Sequence, residues 1–352
     1  MKKVYQSAKY KNHQEVVQEK ELENTRRRKK YLKDKNKSRS RPQRKVEIPS
    51  LGSTHNISKT YKPHKKKYQA IAPVNFSLVN NINEMLVFFD DMQDHINRNY
   101  DIEIDMRNIT DMTPDSLLYF VSFLEFNHTE YNFFGFSGYF PLNSKCYELF
   151  SLSGLFDLMK MKSVGGQHFQ ASDIVQLRKG KDANTALALQ IREFAKNKIR
   201  GHEPKMRRIY GSIIDCMSNT KDHAYNFVTS HKKWYLMAIY DHSNNKINFV
   251  FLDNGDGIPT TVNKKFSEKL ARILPFFRND SHLIKSALEG EFKRTATGQA
   301  HRGLGLPSIF DYFKNGSIEN FVVISNKGMV KGLSEIELVH KFNGTLLSWE
   351  LT

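Results

Sequence analysis

The sequence predicts an α+β protein with an arm and two folded parts. A basic arm at residues 1–70 precedes a small α/β domain at 71–165, a linker and leading helix at 166–200, and a larger α/β domain at 201–352. Three observations support this division: basic charge is concentrated in the arm, strand and helix patterns alternate in the middle, and apolar strands follow two helices near the C-terminus.

The arm holds 22 Lys and Arg against 6 Asp and Glu, so nearly all of the formal charge of +17 lies there. Few large apolar residues interrupt it, which predicts disorder. Its basic runs, such as RRRKK at 26–30, suit either a solubilising tail or a clamp for the phosphate backbone of a nucleic acid. RNA, DNA and an acidic protein are all open as partners.

Several protein classes are excluded. No run of about 18 apolar residues could cross a membrane, and the first 30 residues contain no apolar signal core. Cys146 and Cys216 are far apart, which predicts neither a disulfide framework nor a zinc site. We expect no membrane partner and a reduced, cytoplasmic location.

The middle domain begins with a predicted helix at 83–96 and an alternating strand at 101–106. Thr113 and Pro114 then suit the N-cap and the first position of a second helix. Aromatic residues between 133 and 140 predict another strand and its turn.

The segment from Ile102 to Ser116 resembles the STAS domains of anti-sigma-factor antagonists, with a strand, a short loop and an Asp-Ser helix start. The resemblance implies a docking site for a protein partner. In that family the phosphorylated serine follows the first Ser of an Asp-Ser-Ser-Gly run, and here Leu117 stands at that position. A scaffold or binding role is therefore favoured over phosphorylation near Ser116.

The C-terminal part reads as two helices, at 183–199 and 204–226, followed by strands at 234–240, 247–252, 319–325 and 345–351. Asp215, Asn219 and His223 are spaced four residues apart on the second helix, so they share one face. This column is typical of a binding site or of a solvated helix face.

An apolar strand leads directly to Asp253, which is followed by Gly255 and Gly257. The run places a carboxylate at the end of a core strand and lets the backbone turn close to a ligand. A surface turn is the alternative, because Asn-Gly and Asp-Gly pairs are common in turns.

A third motif, Arg302, Gly303, Leu304 and Gly305, precedes a predicted helix that contains Ile309. Glycines before a helix expose backbone N–H groups that suit a phosphate. Such loops also occur for packing reasons alone.

In this order, the three motifs resemble the GHKL ATPases, which include gyrase, heat-shock chaperones, MutL, histidine kinases and anti-sigma kinases. The resemblance covers residues 200–352 and implies an α/β sandwich whose mixed sheet is covered by helices on one face. It implies that the chain binds ATP and Mg²⁺, with a mobile lid at about 260–302 that contains Lys293, Arg294 and His301. The implied site residues are Asp215, Asn219, His223, Asp253, Gly255, Gly257, Arg302, Gly303, Leu304, Gly305 and Thr345.

The resemblance also implies individual roles. Asn219 would bind Mg²⁺, Asp253 would accept the adenine amino hydrogen, and Gly257 would let the adenine approach. Gly303 and Gly305 would hold the phosphates and Thr345 would support the adenine pocket. His223 would either face the phosphates or pack.

Hydrolytic members carry Glu four residues before the metal Asn, where this chain has Asp215. The shorter side chain predicts a slow ATPase or an ATP-driven switch, since a small misplacement of a general base costs about a hundredfold in rate. An anti-sigma-type serine kinase with a fused STAS-like regulator, and a nucleic-acid-binding protein regulated by ATP, are the alternatives. An ATP-dependent homodimer is expected by analogy with the family.

Overall fold

The computed structural model describes residues 66–133, 135–155, 171–199, 203–223, 233–265, 279–292 and 305–352. Of residues 203–204, 221–223 and 264–265, only the backbone is described. Residues 1–65 of the predicted arm and 156–170 of the predicted domain and linker lie outside these ranges. Within them, no helix is both long enough and apolar enough to cross a membrane.

The N-terminal part contains a three-stranded parallel sheet in the order β1-β3-β5 and a short parallel pair, β2-β4. Its elements are β1 (Lys67–Ile71), β2 (Asn75–Phe76), α1 (Ile82–Asn97), β3 (Asp101–Asp105), β4 (Asp111–Met112), α2 (Pro114–Glu130), β5 (Phe136–Tyr139) and α3 (Ser144–Leu152). Helix α2 begins as predicted, because Thr113 has extended backbone angles and Pro114 takes the first helical position.

The C-terminal part is built on one five-stranded sheet in the order β6-β7-β8-β10-β9. Its elements are a short 3₁₀ turn (Ala171–Asp173), β6 (Ile174–Gly180), α4 (Thr185–Lys198), α5 (Glu203–His223), β7 (Trp234–Asp241), β8 (Lys246–Asp253), α6 (Ile258–Lys265), α7 (Asp280–Leu288), α8 (Gly305–Lys314), β9 (Glu319–Lys331) and β10 (Ser334–Leu351). The described pairs of this sheet are all antiparallel, so the prediction of a mixed sheet is wrong. Short connections join β7 to β8 and β9 to β10, and only antiparallel strands can be joined so tightly.

Alternating residues of the sheet strands enter two different cores, as the two-residue period of a strand requires. On one face, Trp234, Phe249 and Trp349 pack against α4, α5, α7 and α8. On the other face, Met237 and Leu252 pack into the core of the N-terminal part. The expectation of helices on one face is therefore incomplete, because the N-terminal part covers the second face.

Helix α2 makes several polar and aromatic contacts with that second face. Its Tyr119 ring stacks on Phe342 with the ring centroids 4.6 Å apart. Its Glu125 carboxylate accepts hydrogen bonds from Lys179, from Lys233 at 3.1 Å and from the Tyr235 hydroxyl at 2.9 Å. Burial pushes the pKa of Glu125 upward, but the two lysines hold it below its ordinary value.

Several boundaries differ from the sequence prediction, and β9 and β10 are longer than the predicted strands at 319–325 and 345–351. The predicted linker contains β6, an edge strand that pairs with β7, and the end of the predicted arm contains β1, which pairs with β3. Both strands are rich in Lys, Arg or Gln, and pairing with a neighbouring strand outweighs that composition. The predicted lid contains α7, whose Ile284 and Leu288 are buried in the helical core.

Candidate functional site

Asp253 is the last residue of β8 and lies between Trp234 of β7 and Thr345 of β10. Its side chain is buried, and Oδ1 accepts the N–H of Gly255 at 2.8 Å. Burial raises the pKa of Asp253 to about 7 and the charge of Asp256 adds to this rise, whereas the Gly255 N–H and the Thr345 hydroxyl oppose it. The carboxyl can therefore be either charged or neutral near pH 7.

The turn after Asp253 depends on Gly257, whose φ of +88° favours glycine. A Cβ at this position would lie 1.7 Å from Asn326 Oδ1 in β9. The requirement for glycine therefore comes from β9, a reason that the sequence prediction of close adenine approach did not include. Gly255 does not have a left-handed backbone; it supports the turn by donating its N–H to Asp253.

The Gly344-Thr345 pair brings β10 against Asp253. Gly344 has a φ of +105°, and a Cβ on it would lie 2.0 Å from the Asp253 carbonyl oxygen. Only glycine permits this approach, which leaves Thr345 opposite Asp253 in register.

Asp215 and Asn219 lie one turn apart on α5, and the start of α8 packs against both. A Cβ on Gly305 would lie 2.9 Å from Asp215 Cβ and 3.1 Å from Asn219 Nδ2. Burial raises the pKa of the Asp215 carboxyl to about 6. Among the described residues, Asn219 Nδ2 is buried and has no hydrogen-bond partner.

Both groups of residues lie near Cys216, a buried residue of α5. Burial raises the pKa of its thiol well above the ordinary value, and the charges of Asp215 and Asp253 raise it further, so both carboxylates lie within electrostatic range of this thiol. The contacts place Asp215, Asn219 and Gly305 in one group and Asp253, Gly255, Gly257 and Thr345 in a second.

The remaining predicted site residues are not described in full. Arg302, Gly303 and Leu304 lie outside the described residues, as do Lys293, Arg294 and His301 of the predicted lid. His223 closes α5, but only its backbone is described, so the choice between a phosphate-facing and a packed imidazole stays open.

The residues present fit a magnesium ion held together with a ligand. In the described part of the chain, no group of three or more His, Cys, Asp or Glu side chains could hold a metal by itself. Mg²⁺ usually takes one or two protein ligands and completes its shell with phosphates and waters. The unpartnered Nδ2 of Asn219, beside the N-terminus of α8, is a donor that a phosphate oxygen would satisfy, and the Oδ1 of the same amide is an oxygen of the kind that Mg²⁺ takes as a ligand.

The predicted STAS-like position is buried rather than displayed. Ser116 is fully buried, and its Oγ accepts the N–H of Leu78 at 2.8 Å. The adjacent Asp115 carboxylate accepts the same N–H at 2.7 Å and that of Val79 at 3.1 Å. These contacts tie the start of α2 to the chain before α1 and leave Ser116 out of reach of a kinase in this conformation.

Two further polar residues line the turn after Asp253, and the sequence analysis did not select them. Ser325 Oγ accepts the N–H of Ile258 at 2.9 Å, and Asn326 Nδ2 donates to Thr260 Oγ1 at 2.7 Å. The available signal was the Ser-Asn pair that interrupts an apolar strand.

Compared with known proteins, the chain matches no family model and no curated protein. The function of this site is therefore inferred from its residues and their geometry.

Proposed function

We propose that the chain is a GHKL-type protein that binds Mg²⁺-ATP between α5, the end of β8 and the start of α8. The observation that carries this proposal is the presence of a buried carboxyl at Asp253 and a buried, unpartnered amide nitrogen at Asn219 in two groups of residues near Cys216. Burying such groups is costly unless a partner compensates for the lost water. A bound nucleotide would supply an acceptor for the Asn219 Nδ2 and a further donor for Asp253, which already accepts the Gly255 N–H.

Asp253 is proposed to accept a hydrogen from the adenine amino group. Guanine carries an oxygen acceptor at the equivalent position, which would face the carboxylate and leave it unsatisfied. The Thr345 hydroxyl and the Gly255 N–H hold the carboxylate for this contact. The site should therefore prefer ATP to GTP.

Asn219 is proposed to hold Mg²⁺ together with the phosphates, which would also meet backbone N–H groups at the start of α8. The metal would neutralise phosphate charge when it is bound. Gly305 lets the start of α8 approach Asn219 closely, since a Cβ on it would lie 3.1 Å from the Asn219 amide nitrogen.

Asp215 is the candidate general base for attack of water on ATP. A pKa of about 6 leaves most of its carboxyl ionised at pH 7, so it can accept a proton. Because Asp is one methylene shorter than Glu, slow hydrolysis or an ATP-driven switch that acts on a protein or nucleic-acid partner is expected.

Kinase activity is the weaker alternative, because the buried hydroxyl of Ser116 disfavours a fused acceptor. A nucleic-acid partner is the second candidate, supported by the 22 Lys and Arg among residues 1–70. A deletion ending at residue 62 spares β1 and should abolish nucleic-acid binding and its salt dependence. Binding that is unchanged by the deletion would exclude this role for the arm.

The test of nucleotide binding is calorimetric titration of Mg-ATP and Mg-GTP into the wild type and Asp253→Asn. We expect ATP to bind more tightly than GTP, and Asp253→Asn to lose at least tenfold in ATP affinity, about 1.4 kcal/mol. Asp241→Asn is the matched control, because Asp241 ends the neighbouring strand β7 and binds only its own turn. Equal affinity of the wild type and Asp253→Asn would refute the adenine assignment, and turnover by Asp215→Ala would then test the base.

A further inference from the structure

A row of three buried polar side chains crosses three neighbouring strands of the sheet. Thr345 of β10 is in register with Asp253 of β8 on one side and with Ser325 of β9 on the other. Asp253, Thr345 and Ser325 are 8%, 5% and 0% exposed. Residues opposite one another on adjacent strands interact directly, so the row links β9 to the candidate adenine carboxylate.

The Ser325 hydroxyl joins two backbone segments that flank Asp253. It accepts the N–H of Ile258 at 2.9 Å, which fixes the end of the turn after Asp253. It also lies 3.0 Å from the Gly344 carbonyl oxygen and 3.2 Å from Thr345 Oγ1, which fixes the strand opposite. One hydroxyl carries one hydrogen and two acceptor sites, and the Thr345 hydrogen goes to Asp253. Ser325 therefore accepts the Ile258 N–H and donates to either the Gly344 carbonyl oxygen or Thr345 Oγ1.

These two segments supply the donors that favour the charged form of Asp253. The turn provides the Gly255 N–H, and the strand provides the Thr345 hydroxyl. Loss of the Ser325 hydroxyl would loosen both segments and leave the Ile258 N–H without its partner.

The neighbouring Asn326 holds the same turn at a second point. Its φ is +52°, which is uncommon outside glycine, and its amide donates to Thr260 in the first turn of α6. Two consecutive buried polar side chains in an apolar strand cost desolvation energy that hydrogen bonds must offset. Here both of them bind the turn that follows Asp253.

We infer that Ser325 is a positioning residue of the nucleotide site, which holds Asp253 as a hydrogen-bond acceptor by joining the turn at Ile258 to the Gly344-Thr345 strand. This inference rests on the proposed function. Ser325 itself contacts no reacting atom in this role and acts through Asp253.

The expected signature is a shift in the pH dependence of nucleotide binding. Among the described residues, the titratable groups that act on Asp253 or share its surroundings are Asp256 from the same turn and Asp215 and Cys216 from α5. The Lys233 ammonium at the start of β7 pairs with Glu125. Because Ser325→Ala leaves these groups in place, a changed midpoint would report the lost support of Asp253.

The experiment measures Mg-ATP affinity between pH 5.5 and 9 for the wild type, Ser325→Ala, Ser348→Ala and Asp253→Asn. Wild-type affinity should rise with pH through about 7 as Asp253 ionises, and Asp253→Asn gives the pH dependence of the nucleotide itself. For Ser325→Ala, we expect a midpoint about 0.5–1 pH unit higher and about two- to sixfold weaker binding at pH 7, with recovery toward wild type at pH 9.

Ser348→Ala is the matched control, since Ser348 is a buried serine of the same sheet whose hydroxyl lies near Asn248 and away from Asp253. It should leave the midpoint unchanged. An unchanged midpoint in Ser325→Ala, or weakening by the same factor at every pH, would overturn the inference, because a purely structural defect would not depend on the ionisation of Asp253.

A ligand-free measurement separates this inference from the proposed function. The midpoint of Asp253 is also given by the pH at which the growing stability difference between Ser325→Ala and Ser325→Ala/Asp253→Asn levels off. A raised midpoint in a protein that binds no Mg-ATP would support the positioning of Asp253 by Ser325 and refute nucleotide binding. Normal Mg-ATP binding with an unchanged midpoint would refute the positioning role alone.

Discussion

Replacement of Asp253 by Asn should make the protein more stable above pH 7 while it removes the candidate adenine contact. Asp253 has a pKa of about 7 in the folded chain, whereas an unfolded Asp titrates near 3.9. Between these values the unfolded chain has released a proton that the native chain retains. Stability therefore falls as the pH rises from about 4 to about 7, and the loss is complete above that range.

The size of the effect follows from this difference. A shift of about three pKa units corresponds to about 4 kcal/mol, an upper value because the native site can relax. Asn has the same shape, cannot ionise and can still accept the N–H of Gly255. We expect Asp253→Asn to be about 2–4 kcal/mol more stable than the wild type at pH 8, and the two to be equal near pH 4.

Urea denaturation at pH 4, 6, 7 and 8 measures this difference directly. The control is Asp241→Asn, because hydrogen bonds from Ser243 and Asn244 outweigh burial and lower the pKa of Asp241. Its substitution should have the opposite sign, destabilising the protein at pH 7 and losing its effect in acid. If Asp253→Asn were no more stable than the wild type at pH 8, or if the gap were the same at pH 4, the burial argument would be wrong.

Three other substitutions test packing and charge. Gly257→Ala should destabilise the protein by about 2 kcal/mol or more in urea denaturation, because its φ is +88° and its Cβ would meet Asn326. The control Gly211→Ala lies within α5, where a Cβ would meet no atom within 4 Å, and should stabilise the protein by about 0.5–1 kcal/mol. Gly305→Ala should weaken Mg-ATP binding about tenfold in calorimetry and lower stability by about 1–3 kcal/mol, because its Cβ would lie 2.9 Å from Asp215 Cβ, whereas Gly211→Ala should bind normally; normal binding by Gly305→Ala would contradict the placement of the phosphates. Glu125→Gln should lower stability by about 1–3 kcal/mol at pH 7. The difference in stability from the wild type should shrink as the pH falls below about 4.3, because the pKa of Glu125 is lowered in the folded chain. A difference that does not depend on pH would contradict the ion pairs.

Helices and strands whose apolar residues follow a clear pattern were predictable from the sequence. Helix α1 follows from apolar residues three to four apart, α2 from its Thr-Pro start, and β7 and β8 from apolar runs bounded by polar turns. In contrast, β6 carries Gln, Arg and Lys and forms only because β7 offers a pairing edge. No local sequence pattern indicates that the N-terminal part covers the second face of the sheet, because this packing depends on tertiary structure.

The residues of the candidate site also differ in how far the sequence predicts them. Asp215, Asn219 and Asp253 stand out because their spacing or their place after an apolar strand is visible locally. Ser325 and Asn326 reach the turn after Asp253 only through the registers of β8, β10 and β9, which are set by distant residues. The steric need for Gly257 likewise arises from Asn326, far along the chain.

The central claim is tested most directly by a crystal structure of the protein with Mg²⁺ and a non-hydrolysable ATP analogue. The account predicts the adenine amino nitrogen about 3 Å from the Asp253 carboxylate, the metal on the Asn219 amide oxygen, and the phosphates at the start of α8. A nucleotide bound elsewhere, or a site beside Asp253 that stays empty at saturating ligand, would contradict it.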